Sequence, residues 1–165
     1  MKILLLSDTH SYLDDAILKH CREADEIWHA GDFGSTKVSD TLSAIKPLKG
    51  VYGNIDNQEL RKIHPSELFF HVEGLSVLMI HIGGYPGAWP KAVEHLIITH
   101  KPSMFICGHS HILKVMRDAK HNNMLCINPG AAGKSGFHQK RTMIRMEILK
   151  GKVEVMEVIE LGVKQ

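Results

Sequence analysis

Seven residues of this 165-residue chain are of the kinds that hold divalent metal ions. They fall in five short groups: Asp8-Thr9-His10, Gly31-Asp32, Gly53-Asn54, His81 and Gly108-His109-Ser110-His111. Their donors are carboxylate, carboxamide and imidazole, with no thiolate. A closed structural zinc site is usually four-coordinate and often thiolate-rich, so seven oxygen and nitrogen donors are too many for one such ion. Two ions fit the count. If one carboxylate, most simply Asp32, bridges them, each ion receives four protein ligands and keeps positions open for water and substrate. Two divalent ions roughly 3.5–4 Å apart lower the pKa of a bridging water, hold a phosphate between them and stabilise the attacking and leaving oxygens. The chemistry this set suits is hydrolysis of a phosphoester by in-line attack of a metal-bridging hydroxide.

Each group also has a plainer reading. Asp8-Thr9-His10 could cap a following helix, and Gly31-Asp32 and Gly53-Asn54 are common turn pairs. His81 could be a packed core histidine, and His109 with His111 a polar turn. Their conjunction decides the matter, because all five groups follow segments that read as β-strands. In open α/β sheets the loops beyond the carboxyl ends of the strands converge on one crevice. No Lys or Arg stands among the seven to repel a cation.

The positioning elements follow from apolar periodicity. Lys2–Leu6 reads as a strand buried on both faces, followed by an amphipathic helix over Tyr12–Cys21 with Asp14 and Asp15 near its start. Glu26–Ala30 and Leu48–Tyr52 read as further strands, with a helix over Thr36–Ile45 that stops before Pro47. This alternation predicts a parallel sheet. The second half changes character: Glu67–Val72 and Leu75–Ile80 form a hairpin about Glu73-Gly74, then comes a helix over Ala88–Thr99 and a strand over Met104–Cys107. Leu113–Arg117, Met124–Ile127, Thr142–Leu149 and Val153–Ile159 close the chain as short strands, the last two joined through Gly151. The pattern predicts a mixed α/β architecture in one domain spanning 1–165.

Bulk properties exclude several classes. The formal charge is +2 with both signs interspersed, and no basic, aromatic-bearing stretch of the kind that binds nucleic acid stands out. Cys21, Cys107 and Cys126 are odd in number and widely spaced, which argues against a disulfide framework or a thiolate zinc site and suits a reducing cytoplasm. No segment approaches the roughly 20 apolar residues of a membrane span. The expected partner is a small phosphoester, with no membrane, and the composition leaves homo-oligomers open. Eight histidines lie outside the seven candidates and read mostly as surface or packing residues. Trp28 and Trp89 read as packing residues, and Gly130, Gly133 and Gly136 with Lys134 as a flexible turn whose spacing fits no phosphate-binding loop.

At the candidate residues the sequence resembles the calcineurin-like metallophosphoesterase superfamily, whose ordered motifs D-x-H, G-D, G-N, H and G-H-x-H match Asp8-Thr-His10, Gly31-Asp32, Gly53-Asn54, His81 and Gly108-His-Ser-His111. The short length and Asn128-Pro-Gly130 resemble its small YfcE-type phosphodiesterase branch. The resemblance implies a four-layer αββα sandwich of two mixed β-sheets flanked by helices. It would place Asp8, His10, Asp32 and His111 on one metal, and Asp32, Asn54, His81 and His109 on the other, with Asn54 also touching phosphate. Manganese is the first metal this ligand mixture suggests, with nickel, iron or zinc as alternatives. Two departures stand out. Many members read G-N-H-[DE], where the His protonates the leaving group; Ile55 takes that place here, while Asp56 remains beside Asn54 as a candidate catalytic residue. General acid–base assistance is worth about 10²–10⁴-fold, so slow turnover on poor leaving groups is expected. The second is Gly83, where related chains commonly carry another His. The rival reading is a metal-binding scaffold with little catalysis, since a retromer subunit shares the fold and works through protein contacts.

Overall fold

The computed structural model describes residues 1–164. Its first strand, β1 (Lys2–Leu6), shows the two-residue alternation that organises the whole fold. Ile3 and Leu5 point to one buried seam, and Leu4 and Leu6 to another. A strand apolar on both faces must be covered on both, and the remaining elements supply the cover.

The chain continues as α1 (Asp15–Glu23), β2 (Glu26–His29), α2 (Thr36–Ile45), β3 (Leu48–Gly50), α3 (Gln58–Ile63), β4 (Glu67–Val72), β5 (Leu75–Ile80), α4 (Lys91–His100), β6 (Met104–Ile106), β7 (Leu113–Asp118), β8 (Met124–Pro129), β9 (Lys140–Leu149) and β10 (Lys152–Val163). One sheet has the order β10-β9-β1-β2-β3, the other β4-β5-β6-β8-β7. In the first, β1, β2 and β3 run parallel while β9 pairs antiparallel with β1 and β10. In the second, β5, β6 and β8 run parallel, edged by antiparallel β4 and β7. Both sheets are mixed, as the family resemblance implies.

Three apolar seams divide the layers. Ile3, Leu5, Trp28 and Ile144 of the first sheet meet Val77, Met79, Ile106 and Ile127 of the second. On the outer face of the first sheet, Leu4, Leu6 and Ile27 meet Ile17 and Cys21 of α1, Val38 and Leu42 of α2 and Leu60 of α3. On the outer face of the second, Leu78, Phe105 and Cys126 meet Val93 and Ile97 of α4. The result is the αββα sandwich. Both tryptophans pack: Trp28 is fully buried against Phe70, and Trp89 lies edge-on to Phe105.

Where element limits differ from the sequence reading, local chemistry explains it. The first helix begins at Asp15 because the Asp14 carboxylate accepts the Ile17 amide at 2.9 Å as an N-cap, leaving 12–13 in the loop. α4 starts at Lys91 because Pro90, with φ −57°, stands at its N-cap and 88–90 belong to the preceding loop. α3 escapes the sequence reading because six residues with one buried apolar side chain carry no measurable period. Lys150 and Gly151 both take positive φ, as a two-residue hairpin turn requires.

Candidate metal centre

All five groups of candidate ligands lie past the carboxyl ends of parallel strands. Asp8 and His10 follow β1, Asp32 follows β2, Asn54 follows β3, His81 follows β5, and His109 and His111 follow β6. Neighbouring loops are tied by their own backbones, which extend the sheet register beyond the strands. The amides of Asp8 and His10 donate to the carbonyls of Gly31 and Asp32, at 3.0 and 3.1 Å. Within the second sheet the Gly108 amide donates to the His81 carbonyl, and the two sheets join where the His109 amide donates to Asp8 Oδ2.

The backbone is strained at this place. Asp8, His10, Asp32, His109 and His111 all adopt left-handed φ, between 47° and 67°. Each costs a non-glycine residue roughly 1–2 kcal/mol, so five of the seven candidates hold conformations that local sequence disfavours. Such clustering is characteristic of functional sites.

The side chains fall into two groups. Ligand atoms of Asp8, His10 and His111 lie within 4.8 Å of one another, and so do those of Asp32, His81 and His109. Asn54 joins the second group, with Oδ1 3.1 Å from His81 Nε2. Asp32 faces both: its Oδ2 is 3.3 Å from His81 Nε2 and 3.5 Å from His10 Nε2, while Oδ1 accepts the Ile55 amide.

Hydrogen-bond accounting shows that the donor set fits cations. Asp8 Oδ2 accepts from Ser7 Oγ and the His109 amide, whereas Asp8 Oδ1 and His10 Nε2 are buried without hydrogen-bond partners among the described residues. A buried polar atom without a partner costs about 1–3 kcal/mol. The histidine tautomers point the same way. The Ala30 carbonyl, 2.7 Å from His81 Nδ1, can only accept, so Nδ1 bears the proton, and in the neutral ring the Nε2 lone pair faces Asp32 Oδ2 and Asn54 Oδ1. Three acceptors converging on one point are compatible with a positive charge between them.

His111 is arranged likewise, through a residue that motif reading overlooks. His138 Nε2 lies 3.0 Å from the Gly133 carbonyl and therefore donates to it. His138 Nδ1 then accepts from His111 Nδ1 at 3.1 Å, which leaves the His111 Nε2 lone pair facing Asp8 Oδ1 at 3.1 Å. The segment carrying His138 packs on the site: the Gly133 amide donates to the Asp8 carbonyl, and Gly136 lies so close to the His111 ring that any side chain there would collide with it. It is thus a wall of the centre rather than a flexible turn.

Electrostatics follow the geometry. Burial alone would raise the Asp8 pKa, but the facing His10 and His111, the charge of His81 and the Ser7 hydroxyl outweigh it and hold the carboxyl well below the usual carboxylate range. Asp8 raises the pKa of His10 against the effect of burial. At His81, burial opposes protonation, but Asp32 and Asp8 outweigh it and raise the pKa. The cysteines take no part: burial pushes the thiols of Cys21, Cys107 and Cys126 up to about 12.

Ile55 is 46% exposed and offers no proton. Asp56 is buried, and its carboxylate accepts the amides of Phe33, Gly34 and Gly53 at 3.2, 2.8 and 2.8 Å. It fastens the Asp32 loop to the Asn54 loop and does not belong to either ligand group.

The chain is similar to known proteins over most of its length. Residues 1–151 match the model of the calcineurin-like phosphoesterase superfamily domain. A probable metallophosphoesterase of Methanothermobacter thermautotrophicus is 29% identical over 138 residues, covering 79% of this chain and 77% of that protein. Among solved structures, a Thermotoga maritima protein is 25% identical with a TM-score of 0.74, covering 97% of this chain and 99% of the other. Vps29 of Entamoeba histolytica, complexed with zinc, is 15% identical with a TM-score of 0.73 over 97% of this chain and 99% of the other, a likeness of fold.

Proposed function

The chain belongs to the calcineurin-like phosphoesterase superfamily, and on that footing we propose that it is a phosphodiesterase that works with two divalent ions. The observation that carries this reading is the position of Asp32 Oδ2, within 3.5 Å of an imidazole nitrogen from each ligand group. Asp8, His10 and His111 with Asp32 would hold one ion, and Asn54, His81 and His109 with Asp32 the other. Ions held there supply positive charge to a bound phosphate and acidify water beside it. The imidazole-rich set makes manganese the first metal to test, then nickel, iron and zinc.

The chain's own side chains set the limits of the reaction. Asn54, with Oδ1 turned to the ligand group, has its amide nitrogen left to donate to a phosphate oxygen. Neither Ile55 nor the occupied Asp56 carboxylate can protonate a leaving alcohol. Substrates with acidic leaving groups are therefore favoured, by about the 10²–10⁴-fold that a general acid would contribute.

The experiment is an assay of bis(p-nitrophenyl) phosphate after metal stripping and reloading. Hydrolysis is expected with manganese and is abolished by Asp32→Ala. Absence of turnover with manganese, nickel, iron and zinc alike contradicts the reading. Ile55 favours the alternative of a scaffold with little catalysis. Against it stand the complete ligand set and five strained backbones, which a scaffold does not need.

A further inference from the structure

Two apolar grooves open beside the second ligand group, and the mechanism above uses neither. One, of about 310 Å³, begins at His109 and runs between Ile82, Tyr85, Pro90 and Ile112 to Lys114. The other, of about 260 Å³, begins at Asn54 and His81 and is walled by Tyr52, Ile80 and Ile82. Ile82 lines both, so the grooves meet next to the ligands that would hold the phosphate. Ile82, Tyr85 and Ile112 are 48%, 49% and 61% exposed. Large apolar side chains gathered at the mouth of a polar centre are the ordinary make-up of a ligand site.

We propose that the substrate is a small phosphodiester with two apolar substituents, one in each groove, and that the substituent in the Tyr85 groove is a flat aromatic ring bearing a hydrogen-bond acceptor or negative charge. The inference rests on the phosphodiesterase reading and narrows it. A monoester has one substituent and would leave a groove empty. Lys114 lines the Tyr85 groove, and its ammonium lies over the Tyr85 ring, 4.2 Å from the centroid, so that groove presents an aromatic wall with a cation on its face. A planar ring packed beside that pair has its polar rim within reach of Lys114.

Three esters with the same leaving group test the proposal on the manganese-loaded protein: bis(p-nitrophenyl) phosphate, methyl p-nitrophenyl phosphate and p-nitrophenyl phosphate. The bis ester should exceed the methyl ester in kcat/KM by about 10- to 100-fold, the range that filling a hydrophobic pocket gives, with the difference in KM. The monoester should be poorer than the bis ester. Tyr85→Ala, at a half-exposed position, should raise KM for the bis ester about tenfold while the melting temperature stays unchanged. Equal kcat/KM for the bis and methyl esters, or an unchanged KM in Tyr85→Ala, overturns the groove assignment while leaving phosphoester hydrolysis intact. Binding measured by calorimetry separates the two claims from the other side. Diphenyl phosphate should bind about tenfold tighter than phenyl phosphate even if no ester is cleaved, which would remove catalysis and keep recognition; equal affinity overturns the grooves.

Discussion

His138 illustrates how a single imidazole can act on a site without touching an ion. By donating to the Gly133 carbonyl and accepting from His111, it fixes which His111 nitrogen presents a lone pair. Such outer partners of ligating histidines are worth about 10–100-fold in metal affinity. His138→Ala should therefore weaken manganese binding by about that factor in calorimetry, and His138→Gln, which can still accept the His111 proton, should recover most of it. Equal affinity in wild type and His138→Ala would contradict the assignment. The seven ligand candidates were legible in the sequence because each ends a recognisable strand. His138 was not, since it follows an irregular segment and its partner lies 27 residues earlier. Asp56 was legible as an acid beside Asn54, but nothing in the sequence shows three amides converging on it.

At the scale of elements, the centre depends on loops being held in register more than on the strands themselves. The Asn54 loop is fastened from two sides. Asp56 ties it to the Asp32 loop, and Arg61 of α3 reaches back to the Asp56 carbonyl at 2.8 Å. α3 in turn starts where the Asn57 carboxamide accepts the Leu60 amide. This short helix thus contributes to the second ligand group although its own apolar stripe is slight. Asp56→Asn places an amide donor against backbone donors and should lower stability by about 1–3 kcal/mol, read as a shift in the urea midpoint. It should also weaken metal binding, whereas unchanged unfolding would show that the tie is dispensable. The strands, the hairpin and three helices could be read from periodicity; the assembly of ten strands into two facing sheets could not. Period 2 and period 3.6 report which face is buried but not which partner covers it, and only the family resemblance implied the sandwich.

Across the whole molecule, the first helical layer shelters two neutral histidines beneath the centre. Phe33 is stacked between His29, at 3.7 Å, and His64, at 4.4 Å, and burial lowers the pKa of both imidazoles, that of His29 far below 6.5. An unfolded chain takes up these protons first as pH falls. The stability that a neutral His29 contributes is therefore fully present above pH 6.5 and declines below it, by about 1.4 kcal/mol per pH unit, until the folded pKa is reached. In chelator, where ion release plays no part, wild type should lose about 1 kcal/mol more stability between pH 6.5 and 5.5 than His29→Gln, which retains a hydrogen-bonding partner for Thr9. Parallel profiles would contradict this. The same molecular plan brings loops from both sheets to one edge, and the centre exists only because the sheets face each other there. Its most direct test is the number of ions bound. Calorimetric titration of the metal-free protein with manganese should give two equivalents, and Asp32→Ala, which removes the shared carboxylate, should impair both sites together. A stoichiometry of one, or an Asp32→Ala protein that still binds two ions with unchanged affinity, would contradict the shared-carboxylate centre on which the account depends.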